Sequence, residues 1–262
     1  GGALGLPDSA SLEDGTVPLP TKPQEGSGTL EQRRDWTRFL LQLERTYWTG
    51  MRDHIRNTCG YDGLVFGTII ANSPPNEQAQ LDVVDTHSYW QHPVFPANAD
   101  WDPLNWTVNN VSMVNSPANS TLTSLALQRV QGKPHMVTEY QHASPNTYSS
   151  EAPLLAAASG ALQDWDGIWM FAYGGNSTNW DRGYVAGYFD HDTHVGKMAN
   201  MLLAAALFRR GDVAAARHEY AIRFTPDDEL EVATFSGSQW RVADAGHRGM
   251  PAALALTSRL SM

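Results

Sequence analysis

What most constrains this chain is a rhythm of short, nearly all-apolar runs separated by helical periodicity. Leu64-Val-Phe-Gly-Thr-Ile-Ile70, Leu81-Asp-Val-Val-Asp-Thr-His87, His135-Met-Val-Thr-Glu-Tyr140 and Gly167-Ile-Trp-Met-Phe-Ala-Tyr173 each read as a buried strand. A helix is expected over Thr121–Val130, stopped by Gly132 and Pro134. Others are expected over Ala152–Trp165 and Lys197–Phe208, the last ending at Gly211. Apolar strands alternating with helices imply a parallel sheet covered by helices, an α/β fold. About ten residues separate the first two strands, so their crossover must be short or poorly helical.

The flanks read differently. Residues 1–28 are rich in Gly, Pro, Ser and Thr, without periodicity, and are expected to be an extended arm. Thr29-x-x-Gln32 fits a capping box. Behind it Trp36, Phe39, Leu40, Leu43, Tyr47, Met51 and Ile55 recur every three or four residues, predicting an amphipathic helix that ends near Gly60. Within 218–262, His218–Phe224 and Leu230–Phe235 look like strands and Ala252–Leu260 is ambiguous. The expected division is therefore an arm (1–28), a β/α body (29–217) and a small antiparallel β annex packed on it (218–262).

Composition narrows the function. The 262 residues carry a formal net charge of -10, which argues against nucleic acid as the main partner, since phosphate binding needs surplus Lys and Arg. The longest apolar run, Met201–Phe208, is far short of the roughly 18 residues that a membrane span needs. Cys59 is the single cysteine, so no intrachain disulfide forms. The start Gly1-Gly2-Ala3-Leu4-Gly5-Leu6 lacks the basic flank and apolar stretch of a signal peptide, fitting a cytoplasmic or a processed secreted bacterial protein. Sequons at Asn105, Asn110, Asn119 and Asn176 are expected by chance in an Asn-rich chain. Nine Trp, nine Tyr and eight Phe are a rich supply of flat faces, which suit sugar rings as well as cores. There is no G-x-S-x-G nucleophile elbow and no Walker-type glycine loop.

Lys133-Pro134-x-x-Val137-Thr138-Glu139-Tyr140, followed by Asp166-Gly167-Ile168-Trp169-x-Phe171-Ala172-Tyr173, resembles the last two strands of the eightfold β/α barrel in clan A retaining glycoside hydrolases. Asp85-Thr86-His87-Ser88-Tyr89-Trp90 resembles the strand before them, and residues 60–212 carry the likeness. The resemblance implies a partial, TIM-type half-barrel, with the chemistry at the C-terminal ends of the strands. It implies Glu139 as the nucleophile and His87 as a group that hydrogen-bonds the sugar or the nucleophile. It places Tyr140, Trp169 and Tyr173 near the substrate, and Tyr89 belongs with them. Trp90, Trp101 and Trp106, in or beside the long loop after the second strand, are candidates for sugar stacking.

The departure from the family is large. Four barrel strands are present, where eight typically take about 250 residues. The acid that a retaining glycosidase needs, after an Asn on the fourth strand, has no counterpart here. The chain reads either as a fragment of a longer hydrolase or as a half-barrel whose bare edges are covered in a homo-oligomer. The acid could come from Glu13, Asp14, Glu25, Glu151 or a neighbouring subunit. Zn²⁺ is the one cofactor the residue types admit, with His87, His142, His191 and His194 as candidate ligands beside His92 and Asp192. The expected function is hydrolysis of β-linked glycosides, galactosides or glucosides, with exo action favoured over endo. The alternatives are a zinc-dependent hydrolase of another bond and a carbohydrate-binding fragment without catalysis.

Overall fold

A computed structural model describes residues 6–18, 28–175, 182–236 and 249–262. Helix α1 (Leu30–Asn57) opens with the expected capping box: Thr29 Oγ1 accepts from Gln32 N at 3.1 Å, and Gln32 Oε1 accepts from Thr29 N at 2.7 Å. Strand β1 is only Ile69–Ile70, so most of the Leu64–Ile70 run is irregular. Val65 N instead donates to the Asp82 carboxylate, which also takes the Arg56 guanidinium of α1. The short crossover is α2 (Pro75–Gln78), a single turn. Strand β2 (Val84–Trp90) leads to α3 (Thr121–Leu127), capped by Ser120 Oγ accepting from Thr123 N. Strand β3 (His135–His142) leads to α4 (Ala152–Gln163), and β4 (Gly167–Met170) to α5 (Val195–Arg210), which stops at Gly211 with φ +67°.

The four strands form one all-parallel sheet in the order β1-β2-β3-β4. Helices α3 and α4 pack on it, and the main core lies between. Trp90, Leu125, Val137, Tyr140, Ala152, Ala156 and Trp165 are buried together there, with Ile168 and Met170 against them. Gly160 lets α4 come close: a Cβ there would meet the Ile168 side chain at 2.6 Å. The expected helix cover is thus found on one face of the sheet, from α3 and α4. Side chains alternate along a strand, and Trp169, between the packed Ile168 and Met170, is half exposed on the other face.

The C-terminal part differs from expectation in two respects. Strand β5 (Glu219–Ala221) pairs with β6 (Arg259–Ser261) in parallel, not antiparallel. Leu230–Phe235 lies within helix α6 (Pro226–Ser236), because Pro226 can open a helix and Asp227, Asp228 and Glu229 favour its first turn. This part packs on the body, with Leu260 and Ala255 against Leu127 and Ala126. The Gln163 side chain ties it down, donating to the carbonyls of Ala255 and Ser258 and accepting from Leu260 N. No described helix is long and apolar enough to cross a membrane.

Candidate functional site

The site originates in a bulge. Thr86 pairs with Val137 and His87 with Glu139, so β3 carries one extra residue, Thr138. The other edge agrees: Val137 pairs with Ile168, but Tyr140 with Met170. Val137 and Tyr140 are both in the helix-side core, three residues apart. The bulge thus turns Thr138 and Glu139 together onto the open face, the kind of re-aiming that bulges supply beside functional sites. Because β2 runs on to Trp90 and β3 to His142, His87 and Glu139 sit within their strands rather than at the last residue.

Five side chains form a connected line there. The Asp85 carboxylate accepts from Thr86 N at 2.8 Å, Thr138 N at 3.1 Å and Thr138 Oγ1 at 2.5 Å. Thr138 has one hydroxyl proton, and Asp85 takes it. The 2.7 Å contact between Thr138 Oγ1 and His87 Nε2 therefore has the ring nitrogen as donor. That places a proton on Nε2, and Nδ1 lies 3.4 Å from Glu139 Oε2. Tyr89 OH donates a short hydrogen bond to the same Glu139 oxygen. Burial, and then the bond to Glu139, push the Tyr89 phenol upward, so it stays a donor. The Glu139 side chain remains 33% exposed.

An aromatic wall continues from Tyr89. Phe189 stacks on it at 4.1 Å, and Tyr188 meets Phe189 at 5.0 Å. Trp106 lies 5.5 Å and Trp101 6.3 Å from Tyr188, while Phe95 and His92 flank Trp101. Phe171 closes the other side at 6.1 Å from Tyr89. Trp169 and Tyr173 are about half exposed, and Trp101 is 59% exposed.

Two expected substrate aromatics are corrected. Trp90 and Tyr140 belong to the helix-side core; Trp90 donates to Val111 O, and the Tyr140 hydroxyl bonds His142 Nε2 at 2.9 Å. The four histidines read as zinc ligands are not gathered either. No group of three or more His, Cys, Asp and Glu side chains among the described residues is placed to hold a metal ion. His142 is buried, and burial with the nearby Lys197 charge drives its ring down to about 3, hence neutral. His191 Nδ1 faces the Gln141 amide at 3.3 Å, and His194 caps α5, accepting from Lys197 N at 3.2 Å and meeting Ser149 Oγ at 2.9 Å. Of the proposed acids, Glu13 and Asp14 are exposed and Glu25 lies outside the described residues. Glu151 accepts from Ser112 Oγ and Met113 N. The sequons at Asn105, Asn110 and Asn119 are exposed; the Asn176 sequon lies outside the described residues.

Sequence reasoning missed Asp85, Thr138, Phe171, Tyr188 and Phe189. For Thr138 a signal was present: two apolar residues of one strand three apart, with Thr and Glu between, is a bulge pattern. It also missed Lys197, whose amine is buried and donates to the His142 carbonyl at 2.7 Å. Compared with known proteins, the chain matches no family model, no curated protein and no solved structure.

Proposed function

We propose that the chain is a retaining glycoside hydrolase acting on β-linked sugars, with Glu139 as nucleophile. The observation that carries this reading is the Glu139 carboxylate, accessible on the face opposite α3 and α4 and held at one oxygen by Tyr89, with His87 beside it. In the reaction a Glu139 oxygen attacks the anomeric carbon, the bond from that carbon to the leaving oxygen breaks, and a glycosyl ester forms that water hydrolyses. Tyr89 and His87 orient the carboxylate, Asp85 and Thr138 orient His87, and Trp169, Tyr173 and Trp101 offer flat faces to the sugar. The parallel sheet with helices on one face is read as part of a β/α barrel whose inner wall is the open face. Asp85, the carboxylate joined to this network, is buried and fully engaged. The leaving-group proton is therefore assigned to the arm or to a second copy of the chain, and self-association covers the sheet.

An aryl 2-deoxy-2-fluoro-β-glycoside with a dinitrophenolate leaving group tests this, because such a leaving group departs without an acid. The expected result is one equivalent of dinitrophenolate and a glycosyl adduct on the peptide containing Glu139, both lost in Glu139→Gln. Label elsewhere, or unchanged label in Glu139→Gln, overturns the assignment. The second reading, carbohydrate binding without catalysis, is favoured by the engagement of Asp85. It predicts retained glycan binding and no adduct.

A further inference from the structure

The proposed reaction leaves His92 of the aromatic wall unused. His92 lies two residues past β2, in the loop that runs toward α3. Val94 and Thr107 close that loop, each N–H donating to the other's carbonyl, at 2.8 and 2.9 Å. Trp106 Nε1 ties it to Ser144 O, two residues past β3, at 2.8 Å. Along the loop the backbone is left-handed at Gln91 (φ +57°), Asn98 (φ +64°) and Trp101 (φ +64°). Asn tolerates that region, whereas a bulky side chain such as Trp rarely enters it. Conformations of this kind gather at ligand sites, where the surrounding structure enforces them. Gln91 precedes His92 in the chain, and Trp101 adjoins it in space, with ring centroids 5.6 Å apart. The His92 ring is wedged edge to face among Tyr89, Trp101 and Phe189, at 5.7, 5.6 and 5.7 Å. Its Nδ1 meets Pro93 O at 3.0 Å, and a carbonyl only accepts, so Nδ1 carries a proton. In the neutral ring Nε2 is then an acceptor, and among the described residues nothing donates to it. His92 is exposed, and Trp101 is 59% exposed. Ligand sites combine aromatic walls with a few polar groups held in fixed directions. An open indole beside one oriented acceptor matches a pyranose, which has an apolar C–H face and hydroxyl donors at its rim.

We infer that His92 and Trp101 form a sugar subsite, in which the Trp101 ring meets the C–H face of a pyranose and His92 Nε2 accepts a hydrogen bond from one of its hydroxyls. His92 is thereby a specificity-determining residue. The inference rests on the proposed reading of the protein as one that acts on β-linked sugars. Tyr89 stands between this subsite and the nucleophile: its ring touches His92 and its hydroxyl holds Glu139. The sugar bound here is therefore the neighbour of the one attacked, and the substrate class is a β-linked chain of at least two sugars.

Cellotriose and β-1,4-galactotriose are titrated by calorimetry into the whole chain carrying Glu139→Gln, so that neither is turned over. At least one is expected to bind. His92→Asn can keep the bond to Pro93 O but has nothing in place of Nε2, and His92→Phe keeps the wedged ring without its nitrogens. Each should weaken binding roughly three- to tenfold, the scale of one hydrogen bond. His92→Gln, whose amide oxygen reaches the Nε2 position, should keep most of the affinity. Mono-deoxy analogues of the bound trisaccharide supply a readout that depends on no variant's folding. The analogue lacking the bonded hydroxyl should bind three- to tenfold more weakly than its parent when His92 is present, and equally when it is Asn. Binding of neither trisaccharide, equal loss in all three variants, unchanged affinity in His92→Asn and His92→Phe, or no analogue whose loss depends on His92 overturns the inference. The fluoro-glycoside label is measured separately with Glu139 intact. Trisaccharide binding that depends on His92 without the label keeps the subsite and removes the nucleophile, and the label with affinity indifferent to His92 does the reverse.

Discussion

The two faces of strands β2, β3 and β4 are built from neighbouring residues and do opposite work. On the helix side Val137, Tyr140, Leu125 and Ala152 are fully buried and hold one another by packing. On the open side Asp85, Thr138, His87, Glu139 and Tyr89 hold one another by hydrogen bonds and keep a carboxylate in contact with solvent. Buried apolar side chains contribute about 1.5–3 kcal/mol each. A partly solvated hydrogen bond contributes about 1 kcal/mol. Packing is thus concentrated on one face, while the other carries polar groups that reach solvent.

The largest expected effect attacks that division directly. Glu139→Gln keeps an acceptor for the Tyr89 hydroxyl and keeps the side-chain volume, so the thermal midpoint should hold. Adduct formation and any aryl glycoside turnover should fall on the order of 10³-fold or more, as when a nucleophile is removed. A large drop in melting temperature would place Glu139 among the structural residues and dissolve the contrast between the faces. The mirror-image change is Leu125→Ala on the packed side. It should lower the unfolding free energy by about 2–5 kcal/mol, read from urea midpoints, with glycan affinity unchanged.

How much of this contrast was legible in the sequence follows from the range of the interactions. Helices were legible because their signals are local: the Thr29 capping box, the Gly211 stop and the Trp36–Ile55 periodicity all lie within a few turns. The parallel sheet was legible because its strands are apolar runs. One-sided cover was not, since an apolar run such as Gly167–Tyr173 looks the same whether Trp169 meets a helix or solvent. Glu139 and His87 could be singled out by their chemistry. Their partner Tyr89 could be placed near the substrate, but its bond to Glu139 depends on register across two strands. The wall made by Tyr188 and Phe189 was out of reach, because those residues come from a loop some fifty positions beyond Glu139. Leu230–Phe235 misled for a related reason: its apolar residues suit a strand, and the helix is decided by the preceding proline and acids.

A third region sharpens the comparison through pH. Glu229 of α6 is buried, accepting from Asn76 N at 2.9 Å and Asn76 Nδ2 at 3.0 Å, with Glu77 and Arg45 close by. Burial outweighs those hydrogen bonds and raises its carboxyl from 4.5 to about 7. A raised acid binds its proton more tightly folded than unfolded, so its contribution is complete below pH 4.5 and is lost as pH rises through 7. Glu229→Gln should therefore stabilise the protein at pH 8 by up to about 3 kcal/mol relative to the wild type and change little at pH 4. His135 and His142, buried and driven down to about 3, act with the opposite sign: their share grows as pH rises from about 3 to 6.5. The comparison is thus made as variant minus wild type at each pH in urea melts. A flat difference would mean that Glu229 is ionised and paired in the fold.

The smallest expected change in stability sits at the point where the two faces are one residue apart. Trp169 lies between Ile168 and Met170, both packed on the core, yet half of its own surface is open. Trp169→Ala removes a large flat side chain from the solvent side and leaves the packed neighbours in place. The unfolding free energy should move by no more than about 1 kcal/mol, in keeping with a substitution outside the core. Affinity for a β-linked oligosaccharide, measured by calorimetry, should fall roughly tenfold, the scale of an exposed aromatic anchor. The same truncation at Trp165, which is buried between α4 and β3, should reverse the pattern, costing about 3–5 kcal/mol of stability and no affinity. If both variants lose stability equally, the open face is packed in solution by a second copy of the chain, and the native mass will then be a multiple of 28.8 kDa.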